Sequence, residues 1–177
     1  MLPRHRVALL AAGRRDDWYS ANPAYADALC ATVLPALAER YAVTGRPVGL
    51  GASLGALALL HAQRRHPRAF GGLFLQSGGY FTPVHLHMEA SFPWFGRVTR
   101  RVASAHRATG VEPVPTVLTC GTVEENLPNN ELMYRSLTRQ RYPARLVTVR
   151  DAHNHTGWRD CLDPHLTSLL RTSWHRH

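Results

Sequence analysis

Lysine is absent from this chain: all 21 basic side chains among its 177 residues are arginine. So uniform a choice reads as coding bias rather than as a built binding patch. The arginines are scattered and not interleaved with aromatics, which argues against a nucleic-acid groove despite the net charge of +9. A positive surface of this kind suits an anionic small substrate instead. Cysteine is scarce. The three present, Cys30, Cys120 and Cys161, lie far apart and form no C-x-x-C, so neither a disulfide framework nor a cysteine zinc site is indicated. A reduced, cytoplasmic setting is the default expectation. No long apolar run occurs either. Arg, His or Pro interrupts every candidate within about a dozen residues, so none is suited to spanning a bilayer. The opening MLPRHRVALLAAGRRDDW has a basic start, but arginines and aspartates follow where a small-residue cleavage site belongs. It is expected to be a strand, not a signal peptide. Internal repeats and low-complexity linkers are also lacking, and the length suits one domain, 1–177.

What is present is an alternation of short apolar runs with longer amphipathic ones. RVALLAA (6–12), RPVGLGA (46–52), FGGLFLQSG (70–78), VPTVLTCG (114–121) and ARLVTVR (144–150) read as strands. Residues 23–42, 54–66, 129–142 and 158–174 read as helices, the first interrupted by Pro35. Strands alternating with helices predict a mostly parallel sheet flanked by helices, the α/β class. Residues 81–107 break the alternation, carry several aromatics and two prolines, and are expected to be an insertion that could cover a site as a lid.

One stretch raises a chemical question. GLGASLGALALL (49–60) sets Ser53 between glycines, after a strand and before an apolar helix. The pattern G-x-S-x-G in that context predicts a nucleophile elbow, although a serine there also makes a common helix N-cap. In a parallel sheet, reactive groups gather at the carboxyl ends of strands. Glu124 and Glu125 follow one such end, and His153 and His155 another. The chain order serine, acid, histidine is that of an α/β-hydrolase-like triad. A hydroxyl needs a base to take its proton, and imidazole is suited to that role near neutral pH. The Leu54 N–H, at the start of the following helix, is the expected oxyanion donor. Spacing alone leaves either glutamate and either histidine open.

Other candidates are weaker. His85, His87 and Glu89 would share one face of a strand, and there could hold zinc. Trp94 and Phe95 are candidate walls of an acyl pocket. Gln76 and Ser77 are expected to support the floor of the elbow, and Asn126 and Asn130 to shape the acid loop.

Three segments carry a resemblance. GASLGALALLHAQRRHPRAFGGLFLQSGGYF (51–81), CGTVEENLPNNELMYRSL (120–137) and HNHTGWRDCL (153–162) are similar to the esterase family of α/β-hydrolases that includes enterochelin esterases, feruloyl esterases and mycolyltransferases. The resemblance implies an acid three residues after Gly121, which is Glu124. It also implies a catalytic histidine five residues before Trp158, which is His153, leaving His155 for substrate contact. The implied activity is hydrolysis of a small carboxylic ester, of siderophore type in part of the family, without metal or cofactor. Acyl transfer to another acceptor is the rival within enzymes. Relative to the family pattern, only RVALLAA precedes the elbow unit, and no H-G-G or equivalent precedes Ser53. That departure implies that the early strands and the loop completing the oxyanion hole are lacking. It favours a non-catalytic remnant as the rival from outside enzymes, with Gly13-Arg14-Arg15 the weak substitute for that loop.

Overall fold

The computed structural model describes residue 2, residues 4–85 and residues 87–174. Its centre is a sheet of four parallel strands in the order β1 (Val48–Ala52), β2 (Gly72–Gln76), β3 (Thr116–Gly121), β4 (Ala144–Val149). Parallel strands buried on both faces read as unbroken apolar runs. Every residue of β2 and β3 is buried, whereas the outer strands β1 and β4 are partly open. Leu73, Leu75 and Leu118 face one layer of helices, and Phe74 and Val117 face the other.

The first layer begins with α1 (Arg15–Trp18) and α2 (Pro23–Ala28). Asn22 caps α2, its side chain accepting from the Ala24 and Tyr25 N–H groups at 2.9 and 3.4 Å. A π-helical turn (Leu29–Val33) leads directly into α3 (Leu34–Tyr41). Pro35 is the second residue of α3, where its missing N–H costs little, so the proline shifts the helix register without ending the helix. The crossover helices α4 (Leu54–Arg65), α5 (Phe95–Arg107) and α6 (Leu127–Arg139) complete the layer. Two further helices, α7 (His155–Asp160) and α8 (His165–Trp174), follow β4. Leu169 of α8 packs on Phe74 and Val117 across the second face.

Two expectations from the sequence are corrected. Residues 6–12 form no strand, and Val7 and Leu9 are 76% and 91% exposed. A segment with no strand beside it to pair with has no reason to leave water, and β1 is instead the outermost strand, with Leu50 half exposed. The helix expected over 158–174 is two helices. Pro164 disfavours helical backbone at Asp163 and supplies no N–H, so the chain breaks between α7 and α8.

The 81–107 segment divides. Its second half is α5, whose Val98 and Val102 are fully buried in the core as in any crossover helix. Residues 87–91 form a 3₁₀ turn, not the strand on which two histidines and Glu89 would share a face; Leu86 lies outside the described residues. Among the described residues no three His, Cys, Asp or Glu are grouped to hold a metal. No described helix is long and apolar enough to cross a membrane.

Candidate functional site

All four strands end on the same edge of the sheet, and the residues after Ala52, Gln76, Gly121 and Val149 converge there. At the first end the chain turns from strand to helix on one residue. Ser53 has φ 55° and ψ −125°, a conformation that L-residues rarely adopt. Its side chain makes no capping hydrogen bond to α4, so the N-cap explanation of this serine does not hold. Leu54, as the first residue of α4, carries an N–H with no carbonyl one turn earlier to receive it.

The elbow depends on Gly51. A Cβ there would lie 2.7 Å from the Gly55 backbone, which cannot give way. The crowding is one-sided: a Cβ on Gly55 would meet nothing nearer than the Tyr19 ring, at 3.9 Å. Gly51→Ala is therefore expected to destabilise the fold by about 3 kcal/mol. The checking measurement is thermal unfolding, with Tm falling by roughly 5–10 °C. An unchanged Tm would show that the turn relaxes freely.

The turn after β2 holds the elbow from behind. The Ser53 N–H donates to the Gln76 carbonyl at 2.9 Å, and the Gly79 N–H donates to the Ser53 carbonyl at 3.0 Å. Between them lies Ser77, itself at φ 46°. The Asn126 side-chain amide donates to the Ser77 and Gly78 carbonyls, at 3.0 and 3.3 Å. Asn130 accepts from the Gly78 N–H at 2.9 Å and donates back to the Gly78 carbonyl at 3.1 Å. These asparagines thus brace the turn after β2 as well as the acid loop that carries Asn126.

Glu124 follows β3 and is buried, while Glu125 is exposed. Oε1 of Glu124 accepts the Gly121 N–H and the Ser77 hydroxyl, both at 2.7 Å. Oε2 pairs with His153 Nδ1 at 2.8 Å. Burial pushes the carboxyl up, but the bonds from His153, Ser77 and Gly121 outweigh it and hold Glu124 below the ordinary glutamate value. It stays ionised at neutral pH. An Nδ1–H donating to that carboxylate leaves Nε2 of His153 as the acceptor, on a side chain 41% exposed.

Trp158 connects the remaining candidates. Its indole Nε1–H donates to Ser77 Oγ at 2.9 Å, and its carbonyl accepts from the Gln76 amide at 2.7 Å. The rings of His153 and His155 both meet it edge-on, with centroids 5.1 Å away. Gln76 and Ser77 therefore do more than underlie the elbow, and the sequence carried no signal for the Ser77–Glu124 bond. Phe95 stacks on Phe81, whose ring lies 3.5 Å from the Cβ position of Gly79, the residue bonded to Ser53. Trp94 stacks under Arg97, which binds the Asp17 carboxylate at 2.8 Å. Gly13 packs on Trp18, and Arg14 and Arg15 pair with Asp17 and Asp16.

A family model described as "Putative esterase" matches residues 12–168. The chain belongs to the Esterase family. Among curated proteins, none matches. Solved structures similar to this Esterase-family chain include the enterobactin esterase of Shigella flexneri, determined in the presence of 2,3-dihydroxy-N-benzoyl-glycine. It aligns with a TM-score of 0.73 and 23% identity, over 92% of this chain and 42% of that one. A ferulic acid esterase aligns with a TM-score of 0.67 and 18% identity, over 84% of this chain and 61% of that one. The Mycobacterium tuberculosis protein MPT51 gives 0.66 and 13%, over 89% and 74%. These likenesses establish an α/β-hydrolase-like fold. The Esterase-family chain spans 42% and 61% of the length of the two esterases.

Proposed function

We propose that the chain hydrolyses a carboxylic ester through an acyl-enzyme on Ser53. One observation carries the proposal: the 76–79 turn is hydrogen-bonded to both the N–H and the carbonyl of Ser53, and also to Glu124, the partner of His153. Ser53 Oγ attacks the ester carbonyl while His153 Nε2 takes its proton. The Glu124 carboxylate orients the imidazole and stabilises its charged form. The Leu54 N–H stabilises the developing oxyanion. His153 then returns the proton to the leaving alcohol, and water, activated by the same imidazole, releases the acid. Aromatic side chains at 81, 92 and 95, packed against one another beside the elbow, form one wall for the acyl group, with Trp94 and His155 as further substrate contacts. The net charge of +9 supports an anionic substrate, and a siderophore-type ester is the class its similarity to the enterobactin esterase suggests.

The test is rapid mixing with p-nitrophenyl acetate. The expected result is a burst of p-nitrophenol equal to the enzyme concentration, followed by steady turnover. A folded protein that releases no p-nitrophenol above the buffer rate contradicts the proposal. A steady rate that rises with an added alcohol, with transfer product formed, identifies acyl transfer as the second half-reaction.

A further inference from the structure

Behind the acid and the base lies a buried hydroxyl held between Glu124 and Trp158. Ser77 is 1% exposed and has φ 46°, a conformation that glycine adopts freely and serine does not. Its backbone is held there from several sides. The Ser77 N–H donates to the Thr119 carbonyl at 2.7 Å, and its own carbonyl accepts from Asn126 at 3.0 Å. Since glycine would satisfy the backbone better, the side chain is the reason for a serine at this position.

The hydroxyl has a single proton. An indole N–H can only donate, so the bond from Trp158 Nε1 occupies a lone pair of Oγ and cannot take that proton. The proton therefore goes to Glu124 Oε1. With the Gly121 N–H on the same oxygen, Oε1 has two donors, and Oε2 is left to His153. Rotating the carboxylate away from His153 would break both Oε1 bonds inside a buried space, where unmade bonds to a charge are costly. Trp158, which directs the Ser77 hydroxyl, also meets the His153 ring edge-on at 5.1 Å.

Resting on the triad reading above, we infer that Ser77 is a positioning residue: with Trp158 behind it, its hydroxyl fixes the Glu124 carboxylate in the orientation that aligns His153. It touches neither substrate nor the reacting atoms.

Four variants test this: Ser77→Gly, Ser77→Ala, Trp158→Phe and the double variant Ser77→Gly/Trp158→Phe. Each is assayed with p-nitrophenyl acetate, and its active sites are counted by titration to completion with a fluorophosphonate. Ser77→Gly removes the hydroxyl while relieving the positive-φ strain, so it separates chemistry from folding. The expected result is a fall in kcat per titrated site of roughly tenfold to a hundredfold in both Ser77 variants, the range set by losing a hydrogen bond to a charged group. KM is expected to stay within about twofold, because substrate binding is untouched. Trp158→Phe lowers kcat less, and the double variant is no worse than Ser77→Gly, because the indole N–H acts through the hydroxyl. Two outcomes overturn the inference: wild-type turnover per site in Ser77→Gly, or fewer titratable sites with turnover per site unchanged. Failure of the triad reading is distinguished by the wild-type protein itself, which would then neither turn over nor be labelled.

Discussion

His153→Ala is expected to lower kcat for p-nitrophenyl acetate by about 10⁵–10⁶, the loss that follows when a serine nucleophile is left without its base. His155→Ala should cost less than about tenfold, as a substrate contact outside the proton path would. The two histidines stand two residues apart and meet the same Trp158 ring at the same centroid distance, so neither proximity nor ring packing separates them. The Glu124 carboxylate does: Oε2 pairs with Nδ1 of His153 at 2.8 Å. In the neutral imidazole, an Nδ1–H donated to that carboxylate makes Nε2 the acceptor. Steady-state kinetics on the two single variants checks the assignment, and the reverse order of effects would reassign the base to His155.

Glu124→Gln is expected to lower kcat by about 10⁴, the size of effect seen when a triad carboxylate becomes an amide. The substitution keeps the volume of a side chain that is almost wholly buried, so no cavity forms. What changes is hydrogen bonding. Both carboxylate oxygens receive donors, from Gly121 and Ser77 on one and His153 on the other. A glutamine can accept with only one of its two termini. If its oxygen keeps the Gly121 and Ser77 bonds, its amide N–H₂ faces His153 and demands an acceptor at Nδ1. The imidazole proton then moves to Nε2, the atom that takes the serine proton in the proposed reaction. The measurement is kcat per titrated site, with circular dichroism to show that the fold persists. A folded Glu124→Gln enzyme within tenfold of wild type would remove Glu124 from the mechanism and return attention to the exposed Glu125.

The parts of this molecule legible in its sequence are those decided locally. Strands 48–52, 72–76, 116–121 and 144–149 stood out because a buried parallel strand is a short apolar run closed by turn residues. Residues 6–12 carry the same signature and form no strand, because a strand also needs a neighbour and composition does not record one. The run of helix-compatible residues from 158 to 174 hid a break that Pro164 imposes. The strand-to-helix turn at Ser53 is legible from Gly51 and the apolar helix behind it, although the glycines act unequally: Gly51 faces backbone, and Gly55 has room. Spacing does not separate Glu124 from Glu125 or His153 from His155; only the resemblance does. Ser77 is legible only as support beneath the elbow, and its bonds to Glu124 and Trp158 leave no trace, since those partners lie 47 and 81 residues away along the chain. A single hydroxyl at a strand end acquires its role only once the sheet has brought those partners to it.

The most direct measurement is the site of covalent capture. Incubated with a fluorophosphonate, the folded protein should gain one phosphonyl adduct per chain. Peptide mass spectrometry should locate that adduct on Ser53, and Ser53→Ala should remain unmodified. A folded wild-type chain that stays unlabelled, or an adduct carried by a different residue, would contradict the account.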